Sequence, residues 1–237
     1  MRRLDIFPIT FGRPDLLRHQ VRLLGKHLRD PYEVCVIDNT PDPGAGRMEV
    51  TARSLNVGYQ RAVSEKREHN DALNFAAKFA DSIGSSYWAV LDHDIFPVED
   101  TRLLPMLDQL GFWGLGQWHA ATNSRYLWPG FASFKREWLA GRVPNFNGIR
   151  GQFKRDDGDC GSMLSALFTP DDWARFDKVP QRHGYENIRP PDEIGLQSFG
   201  VEYISSAWLH LTNASNWMLV PDAAGRDRIL REKLEAL

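Results

Sequence analysis

Residues 4–11, LDIFPITF, are apolar almost without a gap, as expected of a strand buried on both faces. In the following GRPDLLRHQVRLLGKHL, Leu17, Val21, Leu24 and Leu28 recur at helical spacing, and Pro14 suits a first helical turn. YEVCVIDNT (32–40) predicts a second apolar strand with Asp38 at its end, and the Pro and Gly of PDPGAGRMEV predict a loop. Residues 66–83 place Leu73, Ala76, Ala80 and Ile83 on one stripe of a second helix. SSYWAVL then predicts a third strand, which runs straight into Asp92, His93 and Asp94. Strand, helix, strand, helix, strand predicts an α/β fold with a mainly parallel sheet and helices on both faces. Ligands of such sheets bind outside the carboxyl ends of the strands. Thr10, Phe11, Asp38 and the Asp92/Asp94 pair all fall there.

Beyond residue 100 the pattern becomes mixed. FWGLGQW (112–118) reads as a short strand with glycine gaps, YLWPGFASFKREWLAG as aromatic and turn-rich, and RVPNFNGIRGQFKRDDGDCG as a long polar loop. A helix is expected at CGSMLSALF. Another is expected at TPDDWARF, with Thr169 as N-cap, Pro170 at its first position and Asp172 completing a capping box. VEYISSAWLHL (201–211) reads as one strand ending near His210, and the tail PDAAGRDRILREKLEAL as a docked terminal helix.

Composition narrows the function classes. The chain has 237 residues, 42% hydrophobic and 25% charged, the values of an ordinary globular protein. A net charge of −2 gives no global attraction for nucleic acid, and none is expected as a partner. The two cysteines lack C-x-x-C or zinc spacing, which argues against a disulfide framework and suits a reducing cytoplasm. MRRLDIFPITFG has an apolar run too short and too broken for a signal peptide or a membrane span. The eight tryptophans suit core packing or stacking on a sugar or base.

Two carboxylates one residue apart at a strand end can meet one ion, because the chain turns there. Carboxylate oxygens suit Mg²⁺ or Mn²⁺, ions that take one or two carboxylates and complete their shell with water and substrate phosphates. The bland alternative is a solvated turn in which one aspartate is a cap. Haloacid-dehalogenase-type phosphatases also carry D-x-D after a strand, but theirs opens the fold and continues to Thr or Val. Here Phe96 holds that position and two strand–helix units precede the pair.

PITFGRP, then VIDNT, then NVGY, then HNDALNFAAKFADSIGSSYWAVLDHDIFP follow one another as in a GT-A-type glycosyltransferase. The chain resembles that fold class, nearest its inverting family 2 group, over residues 4–100. GFASFKREWL and DGDCGSML resemble its acceptor-side elements more loosely. GxGxxG and Walker A patterns are absent.

The resemblance implies one GT-A-like domain over 1–237, with a nucleotide-sugar-binding half to about residue 100 and an acceptor-side half with a C-terminal helix beyond. It implies Mn²⁺ or Mg²⁺ as cofactor, and a sugar moved from a nucleotide-diphospho donor to a carbohydrate or glycolipid hydroxyl with inversion. A lipid-linked acceptor would bring the protein to a membrane surface. Asp94 would ligate the metal, with Asp92 on the ribose or a metal-bound water and His210 as a further ligand. Thr10, Phe11, Arg13, Asp38 and Asn70 would surround the nucleotide, Asp38 at the base edge or else as a turn cap, Arg13 or else as a solvated helix-start residue, and Asn70 near the ribose or else, as the preferred reading, holding a local turn. His93 and Asn56 are read as structural. The base that deprotonates the acceptor hydroxyl would be Asp159, then Asp157, although DDGDCG departs from the family's Glu-Asp pattern and either could be a helix cap. Trp118, Trp128 and Phe131 are candidates to stack on sugars, with core packing as the alternative. Two other functions stay open. One is a non-catalytic nucleotide-sugar or glycan-binding module. The other is a sugar-1-phosphate nucleotidyltransferase, whose glycine-rich phosphate loop PITFGRPD lacks.

Overall fold

The computed structural model describes residues 2–41, 45–62, 68–119, 123–148, 160–187, 200–211, 228 and 231–237. Strand β1 (Leu4–Thr10) is buried at every position and lies inside a six-stranded sheet. Helix α1 (Pro14–His27) follows and turns Leu16, Leu17, Leu23 and Leu24 inward. Next come β2 (Tyr32–Asp38), α2 (Ala45–Ser54), β3 (Gly58–Arg61), α3 (His69–Ser82) and β4 (Tyr87–Asp92). These four strands pair in parallel. The expected α/β architecture is therefore present, with one more helix and strand than the sequence suggested. Met48, Ala52 and Leu55, at helical spacing, follow the Pro- and Gly-rich PDPG sequence, whose turn-forming residues outweighed them in the sequence pattern. Met48 and Ala52 pack on Leu17 and Val36, which turns the expected loop into a helix.

β5 (Ile95–Pro97) and α4 (Leu104–Leu110) lead into β6 (Phe112–His119) and β7 (Ser124–Lys135), followed by the short α5 (Arg136–Leu139). The sheet order is β3-β2-β1-β4-β7-β6, with β7 antiparallel to both neighbours. The aromatic, turn-rich stretch is thus a long strand. Its Pro129 and Gly130 fall where the β6–β7 register shifts between Gly114 and Gly116, so the missing proline N–H breaks no ladder bond.

A 3₁₀ helix (Ser162–Leu167) stands where a helix was expected, and α6 (Pro170–Phe176) carries the predicted capping box of Thr169 and Asp172. The stretch 201–211 is not one strand but a hairpin. β8 (Gly184–Asn187), β9 (Gly200–Ile204) and β10 (Trp208–Leu211) join β5 in an antiparallel sheet of order β5-β10-β9-β8. Ser205 and Ser206, with φ of 51° and 62°, make the turn, a conformation serine seldom signals from sequence. In the tail, residues 231–235 are helical, and Leu234 is fully buried with Leu16, Leu23 and Phe96. Among the described residues no helix is long and apolar enough to cross a membrane.

Candidate functional site

β1 is flanked by β2 on one side and β4 on the other, so the chain reverses direction across the sheet at that point. A crevice at the carboxyl ends of two such strands is where doubly wound sheets take ligands. The turn Asp92–His93–Asp94 lies at the carboxyl end of β4, where the large sheet's strand ends and β5 of the small sheet begins.

Four hydrogen bonds fix that turn. The His93 N–H donates to the Ile9 carbonyl (3.2 Å), and His93 Nδ1 accepts from the Phe11 N–H (3.0 Å), joining the ends of β1 and β4. Burial keeps this imidazole below its usual pKa despite the adjacent aspartates, and neutral Nδ1 is what accepting that bond requires. From α1, fully buried Gln20 donates its amide to the carbonyls of both Asp92 and Ile95, each at 2.8 Å. Sequence reasoning passed over Gln20, a lone polar residue on an apolar helix face.

Asp92 and Asp94 are in different surroundings. Asp92 Oδ1 lies 2.7 Å from His69 Nε2 at the start of α3. Burial pushes the Asp92 carboxyl up, but the charge and hydrogen bond of His69 outweigh it and hold the group below its usual range. Desolvation also works against a charged His69, and the Asp92 carboxylate reverses that, raising the imidazole well above its usual value. Asp94 is 4% exposed, and its Oδ1 is buried without a hydrogen-bond partner. Its carboxyl is pushed up by burial, partly offset by His210 and His93.

His210, on β10 in register with Ile95, is buried with its ring 4.5 Å from that of Trp128. Its Nδ1 lies 3.0 Å from Glu202 Oε2. Burial works against the charged form, and the Glu202 hydrogen bond with the Asp94 charge overcomes it, raising the pKa. A carboxylate held on one histidine nitrogen is the arrangement that orients the other toward a metal. Among the described residues no three His, Cys, Asp or Glu side chains form a closed metal cage. An ion held largely by phosphates and water needs only one or two carboxylates. The orphaned Asp94 oxygen and the Glu202-oriented His210 fit that requirement.

The remaining sequence candidates are distributed as follows. Thr10 and Asp38 are fully buried. Asp38 Oδ1 accepts from the Thr40 N–H (2.9 Å) and Oδ2 from the Tyr59 hydroxyl (2.8 Å), so the carboxylate closes a turn, the alternative already considered for it. Arg13 is buried in a two-pronged ion pair with Asp15, 3.0 and 2.8 Å. Phe11 is 42% exposed on the rim, and Asn70 donates to Asn147 Oδ1 (2.9 Å). Asn56 takes a left-handed φ of 55° after α2, a local turn. Phe131 corrects the stacking expectation. It lies opposite Leu91 in the sheet, fully buried against Trp208, with no ring face left for a sugar. Trp128 is partly buried on His210, and Trp118 is 59% exposed on β6.

Asp157 and Asp159 lie outside the described residues. The next described residue, Cys160, has its Sγ 3.9 Å from His69 Nδ1 and 3.5 Å from the Phe146 carbonyl. His69 links Cys160 to Asp92, and no local pattern in the sequence marks it.

Fold and rim together define the class: an α/β protein with a carboxylate–histidine cluster at the switch point of a mainly parallel sheet. No family model matches the chain, and no curated protein matches its sequence. Solved structures do resemble it. The mannosyltransferase PcManGT of Pyrobaculum calidifontis, in complex with GDP-Man and Mn²⁺, aligns with a TM-score of 0.46 and 18% identity over 62% of this chain and 48% of that one. S. aureus TarS 1–349 in complex with UDP aligns with a TM-score of 0.44 and 17% identity over 62% and 50%. The chain thus spans about half the length of these proteins.

Proposed function

We propose that the protein is a metal-dependent glycosyltransferase that moves a sugar from a nucleotide-diphospho donor to a carbohydrate or glycolipid hydroxyl with inversion. The observation that supports this most is Asp94, a buried carboxylate with an unpartnered oxygen at a sheet switch point. Leaving such a group unpaired costs stability, which a bound cation would recover.

In this reading Asp94 and His210 hold Mn²⁺ or Mg²⁺, and Glu202 sets the His210 ring. Asp92, held by His69, faces the ribose or a metal-bound water. Held there, such an ion would neutralise charge on the departing diphosphate. Phe11 and Asn70 contact the nucleotide in this reading. Thr10, Arg13 and Asp38 shape the nucleotide side of the rim from beneath. The acceptor hydroxyl is deprotonated by Asp159, or by Asp157, on the segment that reaches His69 at Cys160. Displacement at the anomeric carbon from the face opposite the diphosphate then inverts it. Residues 1–237 act as one GT-A-like unit, and the two free cysteines suit action in the cytoplasm.

The deciding experiment is a melting screen of UDP, GDP and their sugars with and without Mn²⁺, followed by donor hydrolysis and transfer assays. A nucleotide shift that needs Mn²⁺, together with turnover, is expected. Binding without turnover would leave the non-catalytic module, and no shift with any nucleotide would end the reading.

A further inference from the structure

We propose that a groove along the outer flank of α3 is the acceptor-carbohydrate subsite, an assignment that rests on the transferase reading above. Ala72, Leu73, Ala76 and Ala77 of α3 face the core. Asp71, Asn74, Phe75 and Lys78 form the opposite stripe and line a groove of about 550 Å³, closed on its far side by Pro144, Asn145 and Asn147. That volume is in the range that takes a small organic ligand.

Its polar wall has a fixed sense. The Phe146 N–H donates to Asn74 Oδ1 (2.8 Å), and a backbone donor leaves no choice about which end of that amide is oxygen. The Asn74 nitrogen therefore donates, and it does so to Asn147 Oδ1 (3.0 Å), as does the Asn70 nitrogen (2.9 Å). With its oxygen taken twice, Asn147 has its NH₂ left for the groove. Asn145 is fixed in the same way, its oxygen accepting from the Asn147 N–H (3.0 Å). The wall thus offers two pre-oriented carboxamide NH₂ groups beside the Lys78 ammonium, facing the ring of Phe75 and buried Pro144.

Fixed donors over an apolar surface match a pyranose, whose hydroxyl oxygens accept while its C–H face packs on a ring. The position suits the acceptor. From His69, which touches Asp92, to Asn74 in the polar wall is five residues of helix, about 7.5 Å. A saccharide with its reactive end at the rim would lay its next sugar here. None of the three aromatics expected from sequence to stack on sugars lines this groove.

The test is saturation-transfer NMR on the full chain with chitobiose, cellobiose and α-1,6-mannobiose, without nucleotide. It is repeated on N145D/N147D, in which each retained oxygen can still accept its present bonds while the outward donors become acceptors. At least one disaccharide should saturate on the wild type, and the signal should fall at least fivefold in the variant, with melting temperature and Mn²⁺–nucleotide shift retained. An equal signal in the folded variant, or no signal from any disaccharide on the wild type, overturns the assignment. If the double variant fails to fold, the exposed K78E decides by the same criteria. Failure of the transferase reading would show separately, as loss of the nucleotide shift in the wild type.

Discussion

His69 Nε2 stands 2.7 Å from Asp92 Oδ1, so the first residue of α3 grips the last residue of β4. The pair sets the orientation of the one carboxylate in the Asp92–His93–Asp94 turn that already has a side-chain partner. His69→Ala should weaken Mn²⁺-dependent nucleotide binding about 10–100-fold, the usual cost of losing a group that orients a metal-site carboxylate. Titration of nucleotide against intrinsic tryptophan fluorescence, with and without Mn²⁺, measures it. An unchanged affinity would reduce the pair to a structural contact.

Asp94→Asn separates the two readings of the turn. With no ion present, a buried carboxylate with an unpartnered oxygen destabilises, so the variant should melt in EDTA at the wild-type temperature or above it. With Mn²⁺ and nucleotide at about 100 times Kd, the wild type should gain about 2.7 kcal/mol. The variant should gain little. If Asp94→Asn lowers stability in EDTA, the carboxylate serves the fold itself and the metal assignment falls.

Tyr59→Phe tests what Asp38 does. The Tyr59 hydroxyl is the only side-chain donor to Asp38 Oδ2 among the described hydrogen bonds, and both burial and that carboxylate push the phenol pKa up. Removing it leaves a buried oxygen underserved, at about 1–3 kcal/mol. Urea denaturation should show that loss, with nucleotide affinity little changed. A large loss of affinity without loss of stability would instead put Asp38 at the base edge.

The limits of the elements were legible where one force acted. β1 and α1 follow the apolar run and the stripe from Leu17 to Leu28, each ending within a residue of it, because burial alone dictates them. α2 was hidden because PDPG drew attention to turn chemistry while Met48 and Ala52 were too few to outweigh it. Asp92 and Asp94 were visible as two charges after an apolar strand. Gln20 and His69 were not, since what each does depends on a partner 72 or 23 residues away that no local pattern announces. Phe131 shows the reverse error. An aromatic residue in a turn-rich stretch looked available, yet strand register buried it.

The capping box of α6 makes a pH-dependent prediction independent of function. Burial pushes the Asp172 carboxyl up. The Thr169 N–H (2.9 Å), the Thr169 hydroxyl (2.8 Å) and Arg175 (2.6 Å) outweigh it and hold the group below the ordinary 3.8. A carboxyl with a depressed folded pKa contributes stability above its unfolded pKa and loses it as pH falls through the folded one. Asp172→Asn keeps an oxygen for the Thr169 N–H but loses the charge that favours Arg175 and the helix N-terminus. It should cost about 1 kcal/mol at neutral pH. The gap between wild type and variant, followed by urea denaturation, should stay constant down to about pH 5 and narrow progressively below pH 4. A gap that persists into strong acid would mean the shape of the amide, rather than the missing charge, carries the loss, and the carboxylate would not be what holds the cap.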